Sequence, residues 1–181
     1  AMNEGLIPSR YAKALYLFGR EKGDDKELYN VMKTLSDSFA KQPSLQEVLG
    51  NPFISDADKT ALLVTASGVK PSDTVFNDFL KLLSQNHRLG LARGIALAYI
   101  DLYRKENKIY EVKITSAAPM SDAEETRLRD LIARHLDGGT MECVSAVDPS
   151  LIGGFTVSVG NERIDASISN ELKKLRLNLI S

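Results

Sequence analysis

Apolar residues recur at spacings of three and four through the first hundred residues, which is the pattern of helices with one buried face. The spacing predicts six successive helices, and no strand-like alternation of apolar and polar residues precedes residue 110. The apolar positions of the six helices are, in chain order, Tyr11, Ala14, Leu15 and Phe18; Leu28, Val31, Met32, Leu35 and Phe39; Leu45, Val48 and Leu49; Leu62, Leu63 and Ala66; Val75, Phe76, Phe79, Leu80 and Leu83; and Leu91, Ile95, Ala98 and Leu102.

Residues that begin or end helices divide this region. Gly23 is predicted to end the first helix, because glycine readily adopts the left-handed conformation of a helix C-terminus. Ser44 with Glu47 predicts a capping box at the start of a short third helix. Ser55 with Asp58 has the same spacing and predicts the start of the fourth. We therefore expect short connections and a compact helical bundle.

The pattern changes after a polar, charged run at 104–108. Apolar and polar residues then alternate, as in a strand with one buried face, at Tyr110, Val112 and Ile114. Ser121 with Glu124 predicts a capping box for a seventh helix. The core positions predicted for that helix are Leu128, Leu131, Ile132 and His135. A second strand is predicted over 141–147, and because a helix joins the two strands we expect them to be parallel.

Turn, strand, hairpin and helix patterns follow one another closely from 148 to 169. Asp148 before Pro149 predicts a helical turn, which the pair Gly153 and Gly154 would end. A strand follows, with Phe155, Val157 and Val159 on its buried face. Gly160 before Asn161 predicts a tight hairpin. Asp165 or Ser167 is the predicted cap of a last helix, whose apolar stripe is Ile168, Leu172, Leu175 and Leu179.

These elements predict an α+β protein with two domains. The first, over 2–105, is a six-helix bundle. The second, over 109–181, is a small α/β domain with a short mixed sheet, and the charged run at 104–108 marks the boundary between them.

Composition narrows the possible functions. The chain has 181 residues, of which 43% are hydrophobic and 26% charged, as in ordinary globular proteins. Its formal net charge of −1 gives no overall field to hold nucleic acid or an anionic membrane. The single cysteine, Cys143, favours a reducing compartment. No apolar run reaches the length of a membrane span, so any membrane association is expected through another subunit.

Candidate chemical groups are few. His87 and His135 lie far apart, and no cysteine or carboxylate joins either at the spacing of a metal site. Cys143 is expected to be a small buried apolar residue. Gly153 and Gly154 precede a strand, whereas the glycines of a phosphate-binding loop follow one. We therefore predict no catalytic, cofactor-binding or metal-binding residue.

Apolar surfaces are more informative than polar groups. The first and fifth predicted helices both carry aromatic faces that something must cover. These residues either form the bundle core or line a groove that accepts an amphipathic partner helix. The residues concerned are Tyr11, Ala14, Leu15, Phe18, Phe76, Phe79 and Leu83.

Three runs of residues, spread over the whole chain, resemble one family. The first is Arg10-Tyr11-Ala12-Lys13-Ala14-Leu15, and the second is Asn86-His87-Arg88-Leu89. The third is Val147-Asp148-Pro149-Ser150-Leu151-Ile152-Gly153-Gly154-Phe155, continued by Gly160, Ile164-Asp165, Ser167 and Leu172. Together they resemble the delta subunits of bacterial F-type ATP synthases, relatives of the mitochondrial oligomycin-sensitivity-conferring protein. Ala166 stands where that family more often has glycine.

The resemblance implies a stator subunit without catalytic residues or cofactor. The helical domain is expected to bind the N-terminal helix of an alpha subunit in a groove between its first and fifth helices. The second domain is expected to hold the b-subunit stalk. The resemblance also implies a peripheral position on the cytoplasmic face of the bacterial plasma membrane, which the subunit reaches through the complex.

The residues alone leave three alternative functions, which are a helical adaptor, a nucleic-acid-binding regulator and a small transferase. Near-neutral charge speaks against the nucleic-acid alternative.

Overall fold

The computed structural model of the chain describes residues 5–134, 136, 138–151 and 155–160. The chain divides into two compact units, Ala1–Tyr103 and Arg104–Ser181. We call the first the helical unit and the second the sheet unit. Their elements form an α+β fold with a helical N-terminal part and a small mixed sheet, which confirms the predicted fold class.

Six α-helices precede the first strand in the described residues, as predicted. A 3₁₀ turn at Leu89–Leu91 leads into the sixth helix, and the division between the units falls within its last turns. The helices are α1 Leu6–Lys22, α2 Asp25–Lys41, α3 Ser44–Gly50, α4 Asp56–Ser67, α5 Thr74–Gln85 and α6 Ala92–Glu106.

Most predicted helix ends are confirmed by their hydrogen bonds. Gly23 follows α1 with a φ of 76°, and its N–H donates to the carbonyl of Arg20. The Ser55 hydroxyl accepts from the N–H of Asp58 at 3.2 Å and caps α4. The prediction for Ser44 is wrong. Pro43 already has the helical angles φ −58° and ψ −24°, so Ser44 lies inside α3 and makes no capping hydrogen bond.

Tyrosines occupy much of the core of the helical unit. The rings of Tyr29 and Tyr103 stack with centroids 4.3 Å apart. Tyr16 contacts both Tyr99 and Tyr103 edge-on. The Tyr99 hydroxyl donates to the backbone carbonyl of Asp25 at 2.7 Å, which satisfies the polar end of a fully buried ring.

This cluster corrects the predicted face of α6. Of the predicted stripe, Ile95 is buried, whereas Leu91, Ala98 and Leu102 are half-buried. The helix is rotated so that tyrosines, which carry polar groups and weaken an apolar pattern, face the core. The buried residues of α6 are Ala92, Ile95, Ala96, Tyr99, Ile100 and Tyr103.

The sheet unit contains three described strands, β1 Ile109–Ser116, β2 Thr140–Val147 and β3 Phe155–Val159, with a helix, α7 Asp122–Arg134, between the first two. The strand order is β2-β1-β3, so β1 is central. β1 pairs parallel with β2, as the helical crossover predicted, and antiparallel with β3.

One face of the sheet packs against α7. Val112 and Ile114 of β1 are almost fully buried with Leu128 and Ile132 of α7, as the alternation and helical spacing predicted. The Ser121 hydroxyl accepts from the N–H of Glu124 and confirms the start of α7. His135 lies outside the described residues. The core residues are Val112, Ile114, Leu128, Ile132, Leu136, Phe155 and Val159.

A close approach at Gly139 sets the entry to β2. A Cβ at this position would lie 2.4 Å from the carbonyl oxygen of Lys108 and equally close to the Tyr110 ring. The next residue, Thr140, donates its N–H to that same Lys108 carbonyl at 2.9 Å. Glycine is therefore required here for the start of β2 to pair with β1.

Two acidic residues oppose each other across β1 and β2. Glu111 and Glu142 are register partners, an arrangement that destabilises a sheet when both are charged. Arg104 compensates them, with one terminal nitrogen 3.2 Å from Glu111 and the other 3.4 Å from Glu142. The run at 104–108, predicted as a polar exit from the sixth helix, thus contributes an ion-pair network to the sheet unit.

Candidate functional site

The candidate site lies where α1 and α5 meet. The rings of Tyr11 and Phe79 contact edge-to-face, with centroids 6.2 Å apart and planes at 71°. The side-chain amide of Asn86 donates to the Tyr11 hydroxyl at 3.1 Å. Both contacts hold the N-terminal half of α1 beside α5, because Phe79 lies in the middle of α5 and Asn86 is the residue that ends it.

The seven predicted groove residues divide into two groups by exposure. Leu15, Phe76, Phe79 and Leu83 are buried, with Phe76 and Leu83 each 1% exposed. Tyr11 is half-buried, whereas Ala14 and Phe18 face solvent. The buried group therefore packs in the bundle, while the second group is accessible to a partner.

Leu82 joins this surface, although the helical spacing in the sequence did not select it. It lies one turn after Phe79 on α5, and 44% of its side chain is exposed. The sequence shows only a leucine pair at 82–83, and the two members have opposite surroundings because Leu83 faces the core. We define the α1/α5 surface as the accessible residues Tyr11, Ala14, Phe18 and Leu82, with the buried Phe79 ring beneath them.

Positive charge borders the α1/α5 surface. The Arg88 guanidinium lies 5.8 Å from the centre of the Tyr11 ring. The Lys22 ammonium lies 5.6 Å from the centre of the Phe18 ring. Cations over aromatic faces are attracted by the ring quadrupole, so both are held near the apolar residues. The arrangement suits an apolar helix face with carboxylates along its edges.

A cavity elsewhere in the helical unit is distinct from this surface. It has a volume of about 500 Å³ and lies between α1 and α6. The residues that line it are Gly5, Pro8, Ser9, Lys13, Gly94, Leu97, Ala98, Asp101 and Leu102. It shares none of the predicted groove residues, so this cavity is a separate feature from the α1/α5 surface.

The polar groups weighed from the sequence are not assembled into a reactive site within the described residues. His87 is exposed, with its Nδ1 3.7 Å from an Asp56 carboxylate oxygen. Burial raises the pKa of the Cys143 thiol, which keeps it protonated and poorly nucleophilic. Across the residues that the structure describes, no group of three or more histidine, cysteine or acidic side chains is placed to hold a metal ion. Among those same residues no helix is long and apolar enough to cross a membrane.

The residues of the third sequence run build backbone geometry where the structure describes them. The Asp148 carboxylate accepts from the N–H and the hydroxyl of Ser150, and these hydrogen bonds lower the pKa of Asp148. Pro149 lies within this turn. Gly160 has a φ of 53°, as the predicted hairpin requires. Gly153, Gly154, Asp165, Ser167 and the predicted last helix lie outside the described residues.

Comparisons with known proteins agree over the length of the chain. A family model described as ATP synthase delta (OSCP) subunit matches residues 7–179. The chain is 39% identical over 179 residues to the ATP synthase subunit delta of Parabacteroides distasonis, covering 99% of this chain and 98% of that protein. It is 41% identical over 180 residues to the ATP synthase subunit delta of Bacteroides thetaiotaomicron, covering 99% and 96%.

A solved structure shares the fold. A chain in the Toxoplasma gondii mitochondrial ATP synthase hexamer superposes with a TM-score of 0.69 at 19% identity. The match covers 97% of this chain and 98% of that one.

Proposed function

The chain belongs to the ATP synthase delta (OSCP) subunit family, and on that premise we propose that it is the clamp of the stator in a rotary ATP synthase. It is a non-catalytic subunit of the peripheral stalk. The helical unit holds the N-terminal helix of an alpha subunit on the α1/α5 surface, and the sheet unit holds the end of the b stalk. The catalytic hexamer is thereby kept from turning with the rotor, so that torque drives ATP synthesis.

One observation supports the helical half of the proposal. Ala14, Phe18 and Leu82 remain exposed beside the Tyr11–Phe79 contact, on two helices that are fixed by a buried core. Rigid helices carrying accessible apolar side chains suit the recognition of an amphipathic helix, whose own apolar residues recur at three and four positions. Because both helices are already folded, binding requires no further ordering of their backbones.

The proposed location follows from the same family. The subunit acts in the peripheral stalk of a membrane-associated complex, and the described residues contain no membrane-spanning helix. We propose that it works on the cytoplasmic face of a bacterial plasma membrane, which fits the bacterial sources of the relatives. The family match favours this function over the adaptor, regulator and transferase alternatives.

Two leucines of nearly equal exposure allow a controlled test of the α1/α5 surface. Leu82 on α5 is 44% exposed and Leu97 on α6 is 43% exposed, so an aspartate at either position stays in water. The full chain would be titrated by calorimetry with a synthetic peptide of the cognate alpha-subunit N-terminal helix. We expect Leu82→Asp to weaken binding at least tenfold, about 1.4 kcal/mol. Leu97→Asp should bind as the wild type does.

The outcomes separate clearly. An unchanged affinity for Leu82→Asp, with the far-ultraviolet circular dichroism of the wild type, would refute the placement of the helix. Equal losses in both variants would point to a general effect of charge.

A further inference from the structure

We propose that Arg88 determines which helix the α1/α5 surface accepts, by pairing with one carboxylate of the bound helix. The inference rests on the proposed function, because it assumes that an amphipathic helix lies on this surface. It adds the charged group by which that helix is recognised and held in one register. Arg88 belongs to the second sequence run, at 86–89, whose role the apolar contacts do not explain.

The turn that carries Arg88 is fixed by the end of α5. His87 has a left-handed φ of 56°, and its N–H donates to the Ser84 carbonyl at 3.1 Å. The N–H of Arg88 donates to the Leu83 carbonyl at 2.8 Å. These are the two hydrogen bonds of a Schellman motif, which ends a helix in one defined conformation. Leu89 follows at once and is only 3% exposed, so the backbone is held on both sides of Arg88.

The side chain of Arg88 lies against the α1/α5 surface. Its guanidinium is 5.8 Å from the centre of the Tyr11 ring, and the attraction between a cation and an aromatic face favours this position. Tyr11 is held in turn by the Asn86 amide at 3.1 Å and by the edge-to-face contact with Phe79. The positive charge is therefore placed beside the apolar residues in the free chain.

This charge has no acidic partner within the described part of the chain. Among those residues Arg88 forms no ion pair. Asp56, which does reach this turn, lies 3.7 Å from the Nδ1 of His87. Arg88 is half-buried, so its attraction to a carboxylate is screened less by water and salt than that of a fully exposed cation. A carboxylate on the partner can accept two parallel hydrogen bonds from its planar guanidinium.

Lys22, the other cation at this surface, lacks these features. It is exposed, and its ammonium lies 5.6 Å from the centre of the Phe18 ring on the same helix. An exposed ammonium stays hydrated and gains little from an ion pair, and it has no planar fork for a carboxylate. We therefore expect Arg88 to control recognition and Lys22 to contribute little.

One strong charge pair would also fix the register of the bound helix. Apolar residues that recur at three and four positions allow a helix to slide by a whole turn and still bury an apolar stripe. Tyr11 and Phe18 are seven residues apart on α1, about 10 Å along its axis. A carboxylate that meets Arg88 at the Tyr11 end excludes the shifted positions, as single polar residues do in coiled coils.

The test titrates the full chain with a synthetic peptide of the cognate alpha-subunit N-terminal helix, by calorimetry at low and at physiological salt. Arg88→Gln should weaken binding by at least about fivefold and make the affinity less dependent on salt. Arg20→Gln is the matched control. Arg20 is exposed and nine residues after Tyr11, on the opposite side of α1, so this variant should bind within about twofold of wild type. Lys22→Gln should do the same.

A double-mutant cycle identifies the partner carboxylate. Each aspartate and glutamate of the peptide is replaced in turn by its amide. One replacement should weaken binding to the wild-type chain as much as Arg88→Gln does, and should cause little further loss in that variant. Arg88→Lys keeps the charge without the planar fork and should give an intermediate affinity.

The contrary results are distinct from one another. An affinity of Arg88→Gln within about twofold of wild type would overturn the charge pair and leave the proposed function standing. Additive losses for every peptide replacement would overturn it as well, because Arg88 would then act on no carboxylate of the helix. Equal losses in Arg88→Gln and Arg88→Lys, with lowered urea midpoints in both, would make Arg88 a structural residue of the turn and also overturn the inference. A wild-type chain that binds no peptide would refute the proposed function itself.

Discussion

The two units of this chain are stabilised by different kinds of contact. The helical unit has a continuous apolar core with four tyrosines packed against one another, Tyr16, Tyr29, Tyr99 and Tyr103. The sheet unit has a smaller described core under α7, and charged side chains connect its elements. Arg104 pairs with Glu111 of β1 and Glu142 of β2, and the Ser145 hydroxyl of β2 donates to the Glu125 carboxylate of α7. Salt should therefore affect the sheet unit more, and so should acid, because the hydrogen bonds from Ser145 and Arg129 lower the pKa of Glu125.

This difference suits two different tasks. A rigid helical platform can leave apolar side chains such as Phe18 exposed without losing its shape, because its core does not depend on them. In the sheet unit, β2 is an edge strand of the described sheet, and it carries two exposed valines, Val144 and Val147. In the proposed function, the helical unit binds a helix of the hexamer, while the sheet unit binds the stalk.

The largest expected effect is a difference in stability between a core variant and a surface variant of the helical unit. Phe76→Ala removes a ring that is 1% exposed and leaves a cavity, so it should lower the free energy of unfolding by about 3–5 kcal/mol. Phe53→Ala makes the same chemical change at 96% exposure and should alter it by less than about 0.5 kcal/mol. Urea unfolding followed by circular dichroism at the helix band measures both. Similar losses in the two variants would contradict the assignment of Phe76 to the core.

A smaller effect tests the tyrosine cluster. Tyr99→Phe removes the hydroxyl that bonds to the Asp25 carbonyl and should cost about 1 kcal/mol. Burial raises the pKa of Tyr99, so its contribution is fully present below the unfolded value of about 10 and is lost as pH rises beyond it. Stability of the wild type should therefore fall between about pH 10 and 12.

The matching measurement is the urea midpoint of the helical unit at several alkaline pH values. In Tyr99→Phe the decline should be shallower than in the wild type. Parallel declines would show that this hydroxyl does not set the alkaline limit.

The smallest effect concerns the sheet unit at acid pH. Glu125 accepts hydrogen bonds from the Ser145 hydroxyl and the Arg129 guanidinium, and both lower its pKa. Its stabilising contribution is then present above the unfolded value of about 4.3 and is lost as pH falls below it. Hydrogen exchange of β2 amides should show this loss in the wild type and a weaker pH dependence in Glu125→Gln. Amides of α2 serve as the internal control and should respond alike in both proteins.

Local patterns in the sequence were sufficient for the order of elements and for the parallel β1–β2 pair. Helical spacing and period-two alternation report which face of an element is buried, and both are strong here. The prediction that Ser44 caps α3 was wrong because capping depends on where the backbone first becomes helical. Pro43 already has helical angles, which moves that point one residue earlier. The predicted buried face of α6 was wrong because the hydroxyl of tyrosine makes it a weak marker of burial in a sequence pattern. Tyr99 is nevertheless completely buried.

The candidate site was predictable only in part. Tyr11, Ala14 and Phe18 follow from the spacing along α1. The spacing along α5 selects Phe76, Phe79 and Leu83 but cannot distinguish the floor of a surface from the core beneath it, since that depends on the neighbouring helices. Leu82 needed the packed structure, because exposure is a property of tertiary contacts.

The most direct test of the central claim asks whether the two partners bind to separate units. Sedimentation velocity would be run on mixtures of the chain, the assembled alpha–beta hexamer and a soluble segment of the b stalk. The wild type should join the hexamer and the stalk segment in one complex. Leu82→Asp should keep the stalk segment and lose the hexamer. A variant that loses both partners together, or keeps both, would contradict the division of binding between the helical unit and the sheet unit.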